Sequence, residues 1–147
     1  MQRILFVFCF FLHTVIANAQ SAAINTDGSN ADASAMLDVS DSLALDCNRL
    51  ANASSVSIEL DKTKLEGYAA VLELAAQSMT ARDDVSRDPM DWVLYGGEDH
   101  SLLATFPQGS EIPRGFKVIG SVLKRGTAAV TLGGVVLEAK GWDSVSS

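Results

Sequence analysis

From residue 35 onward the apolar residues switch repeatedly between two spacings, and that alternation limits the fold more than any other feature. Leu43, Cys47, Leu50 and Ala51 recur at helical spacing, Val56 to Leu60 alternates with period two, and Leu65, Tyr68, Ala69, Leu72, Ala75 and Ala76 return to helical spacing. A period near 3.6 turns one face of a helix inward, whereas a period of two does so for a strand. Leu102 to Phe106, Phe116 to Leu123 and Thr127 to Leu132 read as further strands, with Gly133-Gly134 closing a hairpin to Val135-Val136-Leu137. Interleaved helices and strands predict an α/β fold, a mixed α/β sandwich.

A short strand from Ala35 to Leu37 leads into Asp38-Val39-Ser40-Asp41. Ser40 is the expected N-cap of the helix that follows, with Asp41 in its first turn. A second helix is expected from Lys64 to Met79. Arg82 to Pro89 reads as a charged connection, and Trp92 to Tyr95 as a segment stopped by Gly96-Gly97.

With 147 residues and 48% hydrophobic content, the chain suffices for one domain with a real core. Its net charge of -7 opposes nucleic acid and anionic membranes as partners. The imbalance is local, because Asp27, Asp32, Asp38, Asp41 and Asp46 run through a stretch with no Lys or Arg between Arg3 and Arg49. Of the two cysteines, Cys9 lies in the apolar start and Cys47 on a helical stripe, so no disulfide framework is expected and Cys47 reads as a core thiol.

The first twenty residues are of another character. Arg3, the apolar run Ile4 to Ile16 and the small residues of Ala17-Asn18-Ala19 match a secretory signal, and an unrelated apolar start has the same composition. Residues 21–34, rich in Ala, Asn, Ser and Asp, read as a flexible lead-in, leaving 35–147 as the folded unit.

Three constellations have chemical potential. At a strand-to-helix turn, Asp38 and Asp41 offer hard oxygen ligands to one magnesium ion on the same side of the chain, and Ser40 offers a donor to phosphate oxygens. Left unpaired, such carboxylates repel. Gly96-Gly97-Glu98-Asp99 allows close backbone approach followed by two acids, with His100 beside it; Gly141-Trp142-Asp143 puts a large aromatic beside a glycine. Each has a plain structural reading as well: a helix cap, a tight loop, and a tail packed on the core.

In this order, the runs AMLDVSDSLALD from Ala35, DPMDWVLYGGEDHSLLATFP from Asp88, GFKVIGSV from Gly115 and GWDS from Gly141 resemble the thiamine-monophosphate kinases, in the form seen in actinobacterial members. The resemblance implies the C-terminal domain of that family and of the aminoimidazole ribonucleotide synthetase-like superfamily. Its N-terminal domain, which dimerises and carries most metal and nucleotide ligands, has no counterpart in these residues.

Carried over by position, the resemblance implies Asp38 and Asp41 as Mg2+ ligands, Ser40 as an ATP contact, and Glu98 and Trp142 as contacts to thiamine monophosphate. It implies no catalytic residue in this portion. The implied reaction is transfer of the ATP γ-phosphoryl group to thiamine monophosphate, giving the diphosphate, in the cytoplasm. Activity is not expected of the portion alone, and a working signal would instead favour an exported binding module without catalysis. Ser42 departs from the family's glycine after the second Asp, which predicts a strained turn if that position requires an unusual backbone angle.

Overall fold

The computed structural model describes residues 3–8, 36–97, 101–109 and 111–141. The described elements are β1 (Arg3–Phe8), β2 (Met36–Val39), α1 (Leu43–Ala53), β3 (Val56–Leu60), α2 (Lys62–Asp83), α3 (Pro89–Tyr95), β4 (Ser101–Pro107), β5 (Lys117–Lys124), β6 (Val130–Leu132) and β7 (Val135–Val136). The strands form one sheet in the order β2-β4-β1-β5-β3-β6-β7. Its β3–β6 pairing is parallel and the others are antiparallel, so the fold is the expected mixed α/β arrangement.

The apolar start takes a central place in this sheet. Strand β1 pairs with β4 from Arg3↔Pro107 to Phe8↔Leu102, and on its other side with β5, where the register shifts between Leu5 and Phe6. The run that matches a secretory signal thus begins with a strand in the folded unit. The remaining residues of that run lie outside the described ones.

The core lies between the sheet and the helices. Ile58 and Leu60 of β3, Leu103 of β4 and Ile119 and Val122 of β5 meet Leu43 and Cys47 of α1, Leu65 of α2 and Met90 and Leu94 of α3. Fully burying such a side chain contributes about 1.5–3 kcal/mol relative to leaving it exposed. Cys47 is a core thiol, as its spacing implied: burial pushes its pKa well up, with the charge of Asp46 adding to the shift.

Helix α2 outruns the expected range at both ends. Asp61 caps its start, accepting the Lys64 N–H at 3.3 Å, and Asp84 closes its end in a left-handed conformation, with its N–H on the Thr80 carbonyl at 2.8 Å. Leu65, Tyr68, Ala69, Leu72 and Ala76 turn inward; Ala75, expected with them, is exposed, as are Val71 and Leu74.

Helix α3 occupies a segment in which no helix is apparent from apolar spacing. Asp88 accepts the Met90 N–H at 2.8 Å and Pro89 opens the first turn, so the start signal was present as Asp-Pro. Strand β6 is shorter than the Thr127 to Leu132 expectation. The preceding loop is tied instead by the Ser57 hydroxyl, which donates to the Ala128 carbonyl at 2.6 Å and accepts the Gly126 N–H at 2.9 Å. The β6–β7 hairpin is as expected, with positive φ at both Gly133 and Gly134.

Candidate functional site

The turn between β2 and α1 carries the candidate site. Asp38 is on β2, opposite Leu102 of β4, and its side chain is exposed. Val39 is buried and anchors the strand end, opposite Ser101, so β2–β4 pairing brings the Asp38 turn beside the start of β4.

The helix begins two residues later than expected. Its N-cap is Ser42, whose hydroxyl oxygen accepts the Leu45 N–H at 3.1 Å and donates to the Lys140 carbonyl at 2.7 Å. Ser40 is exposed, and its hydroxyl lies 3.4 Å from Asp41 Oδ1. A cap must hold an extended backbone while its side chain turns back onto the helix, and Ser42 does both. Its φ of 175° is ordinary extended backbone, so the strain expected from serine in place of glycine is absent.

One glycine from each of the other two constellations, Gly97 and Gly141, lies against this turn. A Cβ at Gly97 would lie 3.0 Å from the Asp41 carbonyl oxygen and 3.3 Å from that of Ser40. A Cβ at Gly141 would lie 2.5 Å from Ser42 Oγ and 3.1 Å from the Asp41 carbonyl oxygen. A side chain at 141 would therefore force Ser42 Oγ to shift, and one at 97 would require the turn backbone to give by a few tenths of an ångström. Glu98, Asp99, His100, Trp142 and Asp143 lie outside the described residues.

Electrostatics at the turn differ from the expected pair of repelling carboxylates. Asp41 forms a salt bridge with Arg49 from α1, and Arg49 also donates to Asp46 Oδ1 at 3.0 Å. Asp46 is buried, and its Oδ2 accepts the Asp41 backbone N–H at 3.3 Å. The hydrogen bond to Asp41 is the main cause that holds the Arg49 pKa above its ordinary value. The acidic run was read from the sequence, but its pairing with Arg49 was not. The i, i+3 spacing of Asp46 and Arg49 on one helix was the available signal.

The donor set suits magnesium in kind, since both carboxylates are hard oxygen ligands and the exposed Asp38 leaves room for the waters that ion retains. It is sparse in number: among the described residues, no three His, Cys, Asp or Glu side chains gather as a metal site. A separate groove of about 790 Å³ runs between α2, α3 and the β6–β7 hairpin, lined in part by Glu66, Glu73, Asp91 and Val135, and it contains none of the turn residues.

Comparison with known proteins agrees with the motif order. The thiamine-monophosphate kinase of Mycobacterium tuberculosis is 41% identical over 102 residues, covering 69% of this chain and 28% of that protein. That of Corynebacterium glutamicum is 35% identical over 114 residues, covering 74% and 32%, and that of Aquifex aeolicus 34% over 111 residues, covering 75% and 33%. Among solved structures, AaThiL complexed with AMPPCP and TMP superposes with a TM-score of 0.55 at 32% identity, covering 74% of this chain and 32% of that one. Thiamine monophosphate kinase from Aquifex aeolicus gives 0.52 at 32% identity, covering 71% and 32%. No family model matches the chain. The chain spans about a third of the length of the curated relatives it matches.

Proposed function

We propose, because this chain carries a region of the thiamine-monophosphate kinase family, that it supplies one part of the site for ATP-dependent phosphorylation of thiamine monophosphate to the diphosphate. The observation that carries this reading is the convergence of Asp38–Ser42, Gly97 and Gly141 on one turn. In this reading Asp38 and Asp41 hold Mg2+, Ser40 touches ATP, and Glu98 and Trp142 contact the thiamine monophosphate. Bound magnesium would neutralise phosphate charge, and the chain's residues would orient the two substrates. Positioning and charge neutralisation make up nearly all of such catalysis, so two carboxylates do not support turnover by these residues alone.

Two experiments test the reading. A chimera in which this full chain, including β1, replaces the matching third of the Mycobacterium tuberculosis relative should phosphorylate thiamine monophosphate and lose that activity on Asp41→Asn. A folded chimera without activity would overturn the proposal. The purified chain by itself should show no turnover above an Asp38→Asn control; measurable excess would refute the claim of dependence.

ATP as co-substrate favours the cytoplasm over the exported alternative. Among the described residues, no helix is long and apolar enough to cross a membrane. Fusing residues 1–25 to a reporter active only after export should give no signal, and efficient export with cleavage after Ala19 would reverse the assignment.

A further inference from the structure

Asp41 already has a cation, and that cation comes from the chain. Arg49 pairs with Asp41 and with Asp46, and the two acids differ in their setting. The side chain of Asp46 is 3% exposed, whereas that of Asp41 is 15% exposed and that of Arg49 is 40% exposed. A carboxylate as buried as Asp46 requires a partner, and it holds both Arg49 and the Asp41 N–H. Arg49 thus has a fixed anchor on its own helix and a second, more open contact at Asp41.

We propose that Arg49 acts as a built-in counter-cation which a divalent ion must displace from Asp41, with Asp46 retaining the guanidinium when it swings away. The proposal rests on the reading of Asp41 as a metal ligand. A guanidinium is always charged, so it cannot yield by losing a proton. It must move, or leave the ion facing a like charge a few ångströms away. Asp46 keeps its partner in both arrangements, which lets the exchange proceed without stranding a buried charge. The turn is then closed by its own arginine at low magnesium and opened by the ion. Arg49 is in this sense a positioning residue that sets the threshold of the site.

The test uses the full chain and magnesium chloride alone, followed by amide NMR at residues 38–42 and by the Arg49 Nε signal, with sodium chloride added to hold ionic strength constant. In the unsubstituted chain, the Arg49 Nε signal should move with the same midpoint as the turn amides. Arg49→Gln should bind magnesium roughly fivefold or more tightly, since a like charge is removed near the ion, while Arg49→Lys should remain close to the unsubstituted chain. Equal or weaker binding by Arg49→Gln, or an Arg49 signal that stays still while the turn amides move, would overturn the competition but leave the metal site standing. Absence of shifts at residues 38–42 in both chains, at tens of millimolar magnesium, would overturn the site and the competition together. The Arg49 signal requires no substitution, so the test survives a variant that fails to fold.

Discussion

Gly141 stands against Ser42 so closely that a methyl group on the glycine would lie 2.5 Å from the serine hydroxyl oxygen. That hydroxyl both caps α1 and donates to the carbonyl of Lys140, so the C-terminal segment is fastened to the same residue that starts the helix. Gly141→Ala should therefore force Ser42 Oγ aside and destabilise the chain by about 1–3 kcal/mol. Urea unfolding checks this. Adding Ser42→Gly should recover part of the loss, because it removes the clashing atom while costing only a few tenths of a kcal/mol as a cap. Strictly additive effects would show that the two positions are not coupled.

Arg125 closes the other end of that helix. α1 has no basic residue in its last turn, and Arg125, just past β5, reaches it from the sheet. Its guanidinium donates to the Val56 carbonyl at 3.0 Å, to Asn52 Oδ1 at 2.8 Å and to the Ala51 carbonyl at 3.4 Å. A cation at a helix C-terminus that also satisfies free carbonyls is worth about 1–2 kcal/mol. Arg125→Ala should lower the denaturation midpoint accordingly, and Arg125→Lys should recover only part, since one ammonium cannot span three acceptors.

At Gly120 the sheet leaves no room for a side chain. A Cβ there would lie 2.3 Å from the Glu59 carbonyl oxygen, a backbone atom that cannot turn away. Gly120→Ala should cost about 3 kcal/mol or more, through disruption of the β3–β5 pairing. Amide exchange should rise first at Glu59, Leu60 and Ser121. Protection unchanged there would count against the geometry.

The exposed pair Asp83–Arg87 gives a pH test. The hydrogen bond from Arg87 lowers the Asp83 pKa from 3.8 to about 2, assisted by the backbone N–H of Val85. A depressed carboxylate contributes stability that is present above its unfolded value and lost as pH falls through its folded value. The contribution should thus fade between about pH 4 and pH 2, and it is small because the pair is solvated. NMR titration should place the Asp83 midpoint near 2 and move it upward toward 3.8 in Arg87→Ala. A midpoint that does not respond to that substitution would assign the shift to the backbone alone.

Much of this fold was legible because the apolar period is strong where burial is strong. Ile58 and Leu60 alternate as a strand with one buried face, and Leu43 and Cys47 as a helix with one. The readings that failed did so where another force decided. Helix α3 is short and set by its Asp88-Pro89 start rather than by periodicity. The cap fell on Ser42 instead of Ser40 because two possible caps stand two residues apart, and only Ser42 finds the Lys140 carbonyl, remote in sequence. The Arg49 bridge was hidden for a related reason: local spacing revealed the acids of the turn, but the direction of a long side chain follows from the helix start. The turn itself was legible through its motifs. Its assembly depended on Gly97 and Gly141, whose close approaches only the folded chain reveals.

The position of β1 also bears on the order in which this sheet is made. In chain order β1 comes before every other described element, yet both of its neighbours, β4 and β5, follow only after α3. Synthesis runs from the N- to the C-terminal side, so this apolar strand is made before its partners and its two edges stay unpaired until β4 and β5 follow. Without it, the β2-β4 pair shares no hydrogen-bonded edge with β5-β3-β6-β7. The final joining of those two pieces is a long-range event, and it belongs among the slow steps by which such sheets close.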